Sequence, residues 1–201
     1  VTRLIVWRHG QTTWNAAGRL QGQIDVDLDG TGLAQAAAAA PPLAAAGPVA
    51  IVSSDLSRSR HTADALAALT GLPVRTDARL RERDYGAWEG LTHAEIEAGW
   101  PAGFRAWQAG DPNPGSGVES HEDLGKRVAE GLAAAAELAP SGVVVVVTHG
   151  GAGKRGVGAL LGWPDEVLQG MVALGNCRWA ELATGRRGWR LAAYNVGANA
   201  V

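Results

Sequence analysis

A chain of 201 residues with 18 Lys and Arg against 20 Asp and Glu can bury one sizeable core, and its net charge of −2 argues against a broad nucleic-acid or anionic-membrane footprint. Its one cysteine, Cys177, excludes an intrachain disulfide and a zinc cluster built of thiolates. No run approaches the roughly 18 apolar residues of a spanning helix, and the opening Val1-Thr2-Arg3-Leu4 leads into a strand rather than a secretory signal. A single domain over 1–201 in the cytoplasm is therefore expected. A start at Val1 in place of methionine is expected of a trimmed or partial chain.

In chain order, Leu4-Ile5-Val6-Trp7 is the first buried strand and ends in Arg8-His9-Gly10. Residues 34–46 are alanine-rich and read as a helix anchored by Leu33 and Leu43, which Pro41-Pro42 should kink or split. Val49-Ala50-Ile51-Val52 is a second strand, followed by Ser53-Ser54-Asp55. Residues 57–69 then form a helix with Ala63, Leu66, Ala67 and Leu69 on one face, closed by Gly71 and Pro73, with Arg58 in its first turn. The charged, glycine-rich and aromatic stretch 80–90 predicts a structured loop near a crevice. Residues 121–138 read as a helix capped by Ser120, with Leu124, Val128, Leu132 and Ala135 as its apolar stripe. The five valines Val143 to Val147 are a strand ending in Thr148-His149-Gly150-Gly151, and 178–182 with 189–194 form a late strand pair separated by Thr184-Gly185. Strands alternating with helices predict an α/β fold, a three-layer α/β/α arrangement around a mostly parallel central sheet.

Open parallel sheets gather loop residues at the carboxyl ends of their strands, which would bring two His-Gly dipeptides together with Arg8 and Arg58. That set suits a phosphate monoester: one imidazole attacks phosphorus, guanidiniums hold the oxygens, and glycines let backbone N–H groups approach the anion. Arg58 near a helix N-terminus adds to the attraction for negative charge. A leaving oxygen needs a proton donor, and Glu82 or Asp84 could supply it; the plainer reading of both is a charge run paired with Arg81 and Arg83. Gly150 to Lys154 matches a nucleotide phosphate loop poorly. His61 reads as an exposed helical residue, His93 and His121 as solvated helix ends, and the tryptophans as core, apart from Trp88 and Trp107 at an entrance. No metal triad is apparent.

These residues resemble the histidine phosphatase superfamily, the phosphoglycerate mutase-like proteins. The likeness rests on Arg8-His9-Gly10-Gln11-Thr12 with Asn15, on Gly18-Arg19-Leu20-Gln21-Gly22, on Ser53-Ser54-Asp55-Leu56-Ser57-Arg58, on Leu80-Arg81-Glu82 with Gly86-Ala87-Trp88-Glu89-Gly90, and on Thr148-His149-Gly150-Gly151. It implies His9 as the nucleophile that becomes phosphohistidine and Glu82 as the acid that later activates water. Arg8, Arg58 and His149 would grip the phosphoryl oxygens, with Asn15, Gln21, Gly22 and Gly150 lining the phosphate pocket. With those roles, the guanidiniums should depress the pKa of His9, whereas His149, held against a dianion, should favour the imidazolium form. It also implies no cofactor and no metal, a small phosphorylated metabolite as substrate, a homodimer, and no nucleic-acid or membrane partner. Tyr85-Gly86-Ala87-Trp88-Glu89-Gly90 looks like the phosphatase members rather than the mutases. Segments around Gln21, 90–96 and 175–179 look like the actinobacterial glucosyl-3-phosphoglycerate phosphatases, while Pro41-Pro42 and 111–117 depart from them. The alternatives are a mutase or broad-specificity phosphatase of the same superfamily, and an idle phosphate-binding relative.

Overall fold

Six strands form one sheet in the computed structural model, which describes residues 1–111 and 114–198. The elements are β1 (Arg3–Arg8), α1 (Thr13–Ala16), α2 (Gly30–Ala45), β2 (Pro48–Ser53), α3 (Ser57–Thr70), β3 (Val74–Thr76), α4 (His93–Gly99), α5 (Pro101–Gln108), α6 (His121–Glu137), β4 (Val143–Thr148), α7 (Gly150–Leu160), α8 (Asp165–Gln169), β5 (Trp179–Gly185) and β6 (Gly188–Val196). The strand order is β3-β2-β4-β1-β5-β6, with the first four mutually parallel, β5 antiparallel to β1 and β6 antiparallel to β5. This is the mostly parallel α/β arrangement that the alternation of elements predicts.

The central strands are buried on both faces, which is why their sequences are continuous apolar runs. Leu4, Val6, Val144 and Val146 turn to one side, against Leu124, Val128 and Leu132 of α6 and Val157 of α7. Ile5, Trp7, Val145 and Val147 turn to the other, against Ala36, Ala39 and Leu43 of α2 and Leu66 of α3. A third, smaller core of Trp88, Ile96, Phe104 and Val118 lies under α4 and α5. Trp88 has no exposed surface, so it is core and not the entrance residue expected from sequence; Trp107 packs edge-on against it at 6.2 Å.

Several local expectations are corrected. Helix α2 starts at Gly30, capped by the Asp29 side chain, and continues through Pro41 and Pro42 without splitting. The two prolines remove bonds to the carbonyls of Ala37 and Ala38, and all four residues lie on the exposed face, where water can serve those carbonyls. Leu33 and Leu69 are exposed rather than packed. The late strand pair turns at Arg186-Arg187, after Thr184-Gly185. In the stretch 111–117, Pro112 and Asn113 lie outside the described residues. No helix among the described residues is long and apolar enough to cross a membrane.

Because both prolines of α2 are exposed and each removes a helix hydrogen bond, the double substitution Pro41→Ala, Pro42→Ala should stabilise the protein by about 1–3 kcal/mol. Urea denaturation followed by circular dichroism checks this; a lower midpoint at unchanged slope contradicts it.

Candidate active site

Strands β1 and β4 are parallel neighbours with Arg8 opposite Thr148, so the next residue of each, His9 and His149, emerges at the same end of the sheet. The N–H of His9 donates to the Thr148 carbonyl at 3.0 Å, joining the two loops. The rings lie 5.1 Å apart at 63°. His9 is 3% exposed, and its Nδ1 sits 2.6 Å from the Gly10 carbonyl. A carbonyl can only accept, so Nδ1 carries the proton and Nε2 presents a lone pair. Gly10 cannot be replaced cheaply: a Cβ there would meet the backbone of Gly32 at the start of α2.

Arg58, in the first turn of α3, is wholly buried. Its Nη2 donates to the Gly22 carbonyl at 2.7 Å, its Nη1 to the Ile24 carbonyl at 2.8 Å, and its Nε to His149 Nδ1 at 3.2 Å. Gly22 has φ +53°, a left-handed turn, and a side chain there would collide with the Glu89 carboxylate. Burial lowers the Arg58 pKa to about 10, partly offset by Glu82, Asp25 and Glu89, so the group stays charged at neutral pH. Arg8 donates from Nη1 to the Leu174 carbonyl at 2.6 Å, while its buried Nε has no hydrogen-bond partner among the described residues.

Burial first, then Arg8 and Arg58, hold His9 well below the usual histidine range. The sequence assigned that effect to the guanidiniums; desolvation is the larger cause. His149 is pushed the same way by burial, Arg58 and His9. Its ring is therefore neutral, with Nδ1 accepting from Arg58 and Nε2 facing the Ser54 hydroxyl at 2.9 Å. The imidazolium expected of His149 requires an anion beside it to outweigh those three causes.

Glu82 lies on the loop after Leu80 and lines the same cavity as His9. Its carboxylate accepts from the N–H groups of Gly151 at 3.0 Å and Ala152 at 2.8 Å, in the first turn of α7, and from Arg83 N–H at 2.8 Å. Arg81 pairs with Asp55 and Arg83 donates to the Glu119 carbonyl, so the paired charge run does not describe Glu82. Asp84 accepts from Gly86 N–H and stays outside the pocket.

A cavity of about 140 Å³ is lined by Arg8, His9, Asn15, Gln21, Gly22, Arg58 and Glu82. His149 and Gly150 stand behind that wall; a Cβ on Gly150 would lie 3.2 Å from the Arg8 guanidinium carbon. Asn15 turns its Oδ1 to Thr12 N–H and Asn176 Nδ2. Gln21 Oε1 is buried with no hydrogen-bond partner among the described residues. Arg19, Leu20 and Tyr85 complete the lining; burial pushes the Tyr85 phenol up, so it remains a neutral donor. Ser54 and Asn176, the latter also bonded to the His9 carbonyl at 3.1 Å, stood in segments that carry the resemblance but were given no place in the site, because only the tertiary fold brings them here.

The remaining motifs go elsewhere. Lys154 donates to the Met171 carbonyl, and His61 pairs with Asp27 at the surface. His93 packs against Trp107. His121 is not a solvated helix end: it is wedged between Arg83 and Arg155, each 2.9 Å away, and burial with these cations pulls its pKa down to about 4. It lines a larger groove of about 880 Å³ beside α6 to α8, which shares no residue with the small cavity. Among the described residues no group of three or more His, Cys, Asp and Glu side chains could hold a metal ion.

A family model described as the histidine phosphatase superfamily (branch 1) matches residues 4–197. The chain belongs to that superfamily. This histidine phosphatase is 39% identical over 216 residues to the glucosyl-3-phosphoglycerate phosphatase of Mycolicibacterium vanbaalenii, covering 98% of this chain and 96% of the relative. It is 40% identical over 156 residues to the metal-independent phosphoserine phosphatase of Arabidopsis thaliana, covering 75% and 65%. The solved structure of mycobacterial glucosyl-3-phosphoglycerate phosphatase complexed with VO3 superposes with a TM-score of 0.91 at 38% identity, covering 98% of this chain and all of the other.

The two buried neutral histidines make stability depend on pH. Both folded pKa values lie below the unfolded value, so from about pH 6.5 downward the unfolded chain takes up protons that the folded one refuses. Stability should fall by up to about 1.4 kcal/mol per histidine per pH unit. Urea unfolding at about pH 7.5 and about pH 5.5 should show this loss, and His9→Gln with His149→Gln should remove their share of it while leaving that of His121, which burial and its two arginines hold at about 4; an unchanged slope would contradict the burial argument.

Proposed function

We propose that this histidine phosphatase is a metal-independent phosphomonoesterase that works through a phosphohistidine at His9. The observation that carries the reading is the tautomer of His9, whose Nδ1–H is fixed on the Gly10 carbonyl inside a cavity faced by two guanidiniums and a carboxylate. Nε2 attacks phosphorus, the ester P–O bond breaks, and Glu82 gives a proton to the leaving oxygen. Water then attacks phosphorus as Glu82 takes its proton, the P–N bond breaks, and orthophosphate leaves. Arg8, Arg58, Asn15 and Gln21, with the backbone N–H at Gly22, hold the phosphoryl oxygens while His149 braces Arg58 from behind the wall, so neutralisation of their charge needs no metal.

The substrate we favour is glucosyl-3-phosphoglycerate, supported by the full-length likeness to phosphatases of that name. A cavity of about 140 Å³ takes the phosphate end. The substrate's carboxylate needs a second cation, and Arg19, at the cavity wall and tied to the Gly90 carbonyl and Glu95, is placed to meet it. An aryl or simple sugar phosphate lacks that second contact.

During turnover the phosphoryl group should be found on His9 alone, by mass spectrometry after a quench that avoids acid. A label on His149, or none with a slowly hydrolysed substrate, overturns the assignment. Activity should survive EDTA and be inhibited by vanadate, and kcat/KM should favour glucosyl-3-phosphoglycerate over phosphoserine, 3-phosphoglycerate and sugar phosphates by more than about tenfold. A smaller preference makes the enzyme a broad-specificity phosphatase; restoration of EDTA-treated enzyme by a divalent ion ends the metal-free reading.

A further inference from the structure

The acid of this mechanism sits on a stretch with no regular structure: residues 81–85 belong to no helix or strand. A proton donor must nevertheless be held within hydrogen-bond reach of one oxygen. The side chain that spans this stretch from outside the cavity is Arg127, on α6. Its Nη1 donates to the carbonyls of Arg79 at 2.9 Å and Arg81 at 2.7 Å, and its Nη2 to the carbonyl of Glu82 itself at 2.8 Å.

The same guanidinium is gripped by Glu119, with Nε to Oε1 at 2.6 Å and Nη2 to Oε2 at 2.8 Å. Glu119 in turn reaches the far side of the acid. Its Oε2 accepts from Asp84 N–H at 3.1 Å, its own N–H donates to the Asp84 carbonyl at 2.8 Å, and its carbonyl accepts from Arg83 Nε at 2.7 Å. The pair therefore fastens the chain on both sides of Glu82, and neither residue lines the cavity. A planar fork with five N–H donors can bind three carbonyls and a carboxylate at once, which a lysine cannot.

We infer that Arg127, locked by Glu119, is a positioning residue for proton transfer by Glu82. It touches no reacting atom; it sets the backbone from which the carboxylate reaches the leaving oxygen. The inference rests on the role proposed for Glu82. Loss of positioning should therefore harm substrates in proportion to how much their leaving group needs a proton, whereas a merely structural pair would lower the activity of all substrates together.

The test measures kcat/KM for Arg127→Gln across phosphomonoesters from p-nitrophenyl phosphate to alkyl phosphates. Alkyl phosphates should lose about 10–10²-fold and p-nitrophenyl phosphate no more than about threefold. Glu119→Gln should steepen the dependence in the same sense, and Arg127→Lys, keeping charge but not the fork, should fall between wild type and Arg127→Gln. These two also serve if Arg127→Gln does not fold. Glu82→Gln run in parallel separates the two claims. If it shows no steepening, the acid assignment fails and the inference falls with it. If it steepens while the Arg127 and Glu119 variants lose activity uniformly, the acid stands and the positioning role is overturned. The double variant Glu82→Gln, Arg127→Gln should be no steeper than Glu82→Gln alone; added steepness also overturns the inference.

Discussion

A guanidinium with no access to water organises this end of the molecule. Removing a charge from water costs several kcal/mol unless donors are met and counter-charge is near. Arg58 meets the first condition with the Gly22 and Ile24 carbonyls and His149, and it meets the second incompletely. Neither Arg58 nor Arg8 has an ion pair among the described residues; the carboxylates of Glu82, Asp25 and Glu89 act on Arg58 from a distance. The positive potential left over adds to the burial that depresses His9 and His149 and makes a dianion the natural occupant. The turn at Gly22 and the Asp25 cap on Ser57 exist to bring carbonyls to this one cation.

The two cores of the sheet have divided tasks. The face packed by α2 and α3 brings Arg58 beneath the histidines and closes Gly10 against Gly32. The face packed by α6 and α7 supplies the N–H groups that receive Glu82 and the helix that carries Arg127. Alternation along β1 and β4 connects them, because successive residues of the same strands anchor opposite faces while their ends deliver His9 and His149 to the same point.

What was legible in the sequence is what depends on short range and strand position. Apolar runs ending in His-Gly, an arginine one residue into a helix, and a glycine that stops α3 are local signals, and each corresponds to a feature of the fold. Pro41-Pro42 misled because propensity rules ignore which carbonyls a proline strips, and here they are carbonyls that water can reach. His121 misled because Arg83 and Arg155, remote in sequence, converge on it. Glu119 and Arg127 drew no reading from the sequence: nothing in a spacing of eight residues announces that three carbonyls near residue 80 will meet the guanidinium. Trp88 was misplaced because the small core beneath α4 and α5 is assembled from separate segments.

The proton on His9 is directed by a backbone carbonyl rather than by a side chain. Where a carboxylate orients a catalytic histidine, one substitution erases the orienting group and leaves the fold intact. Here every amino acid at position 10 carries the same carbonyl, so no substitution can delete the acceptor; it can only be moved. Vulnerability is thereby transferred from chemistry to packing, onto the Gly10 and Gly32 backbones that fix where that carbonyl points. Sequence drift can reshape the rest of the pocket toward new esters while the nucleophile's lone pair keeps its direction.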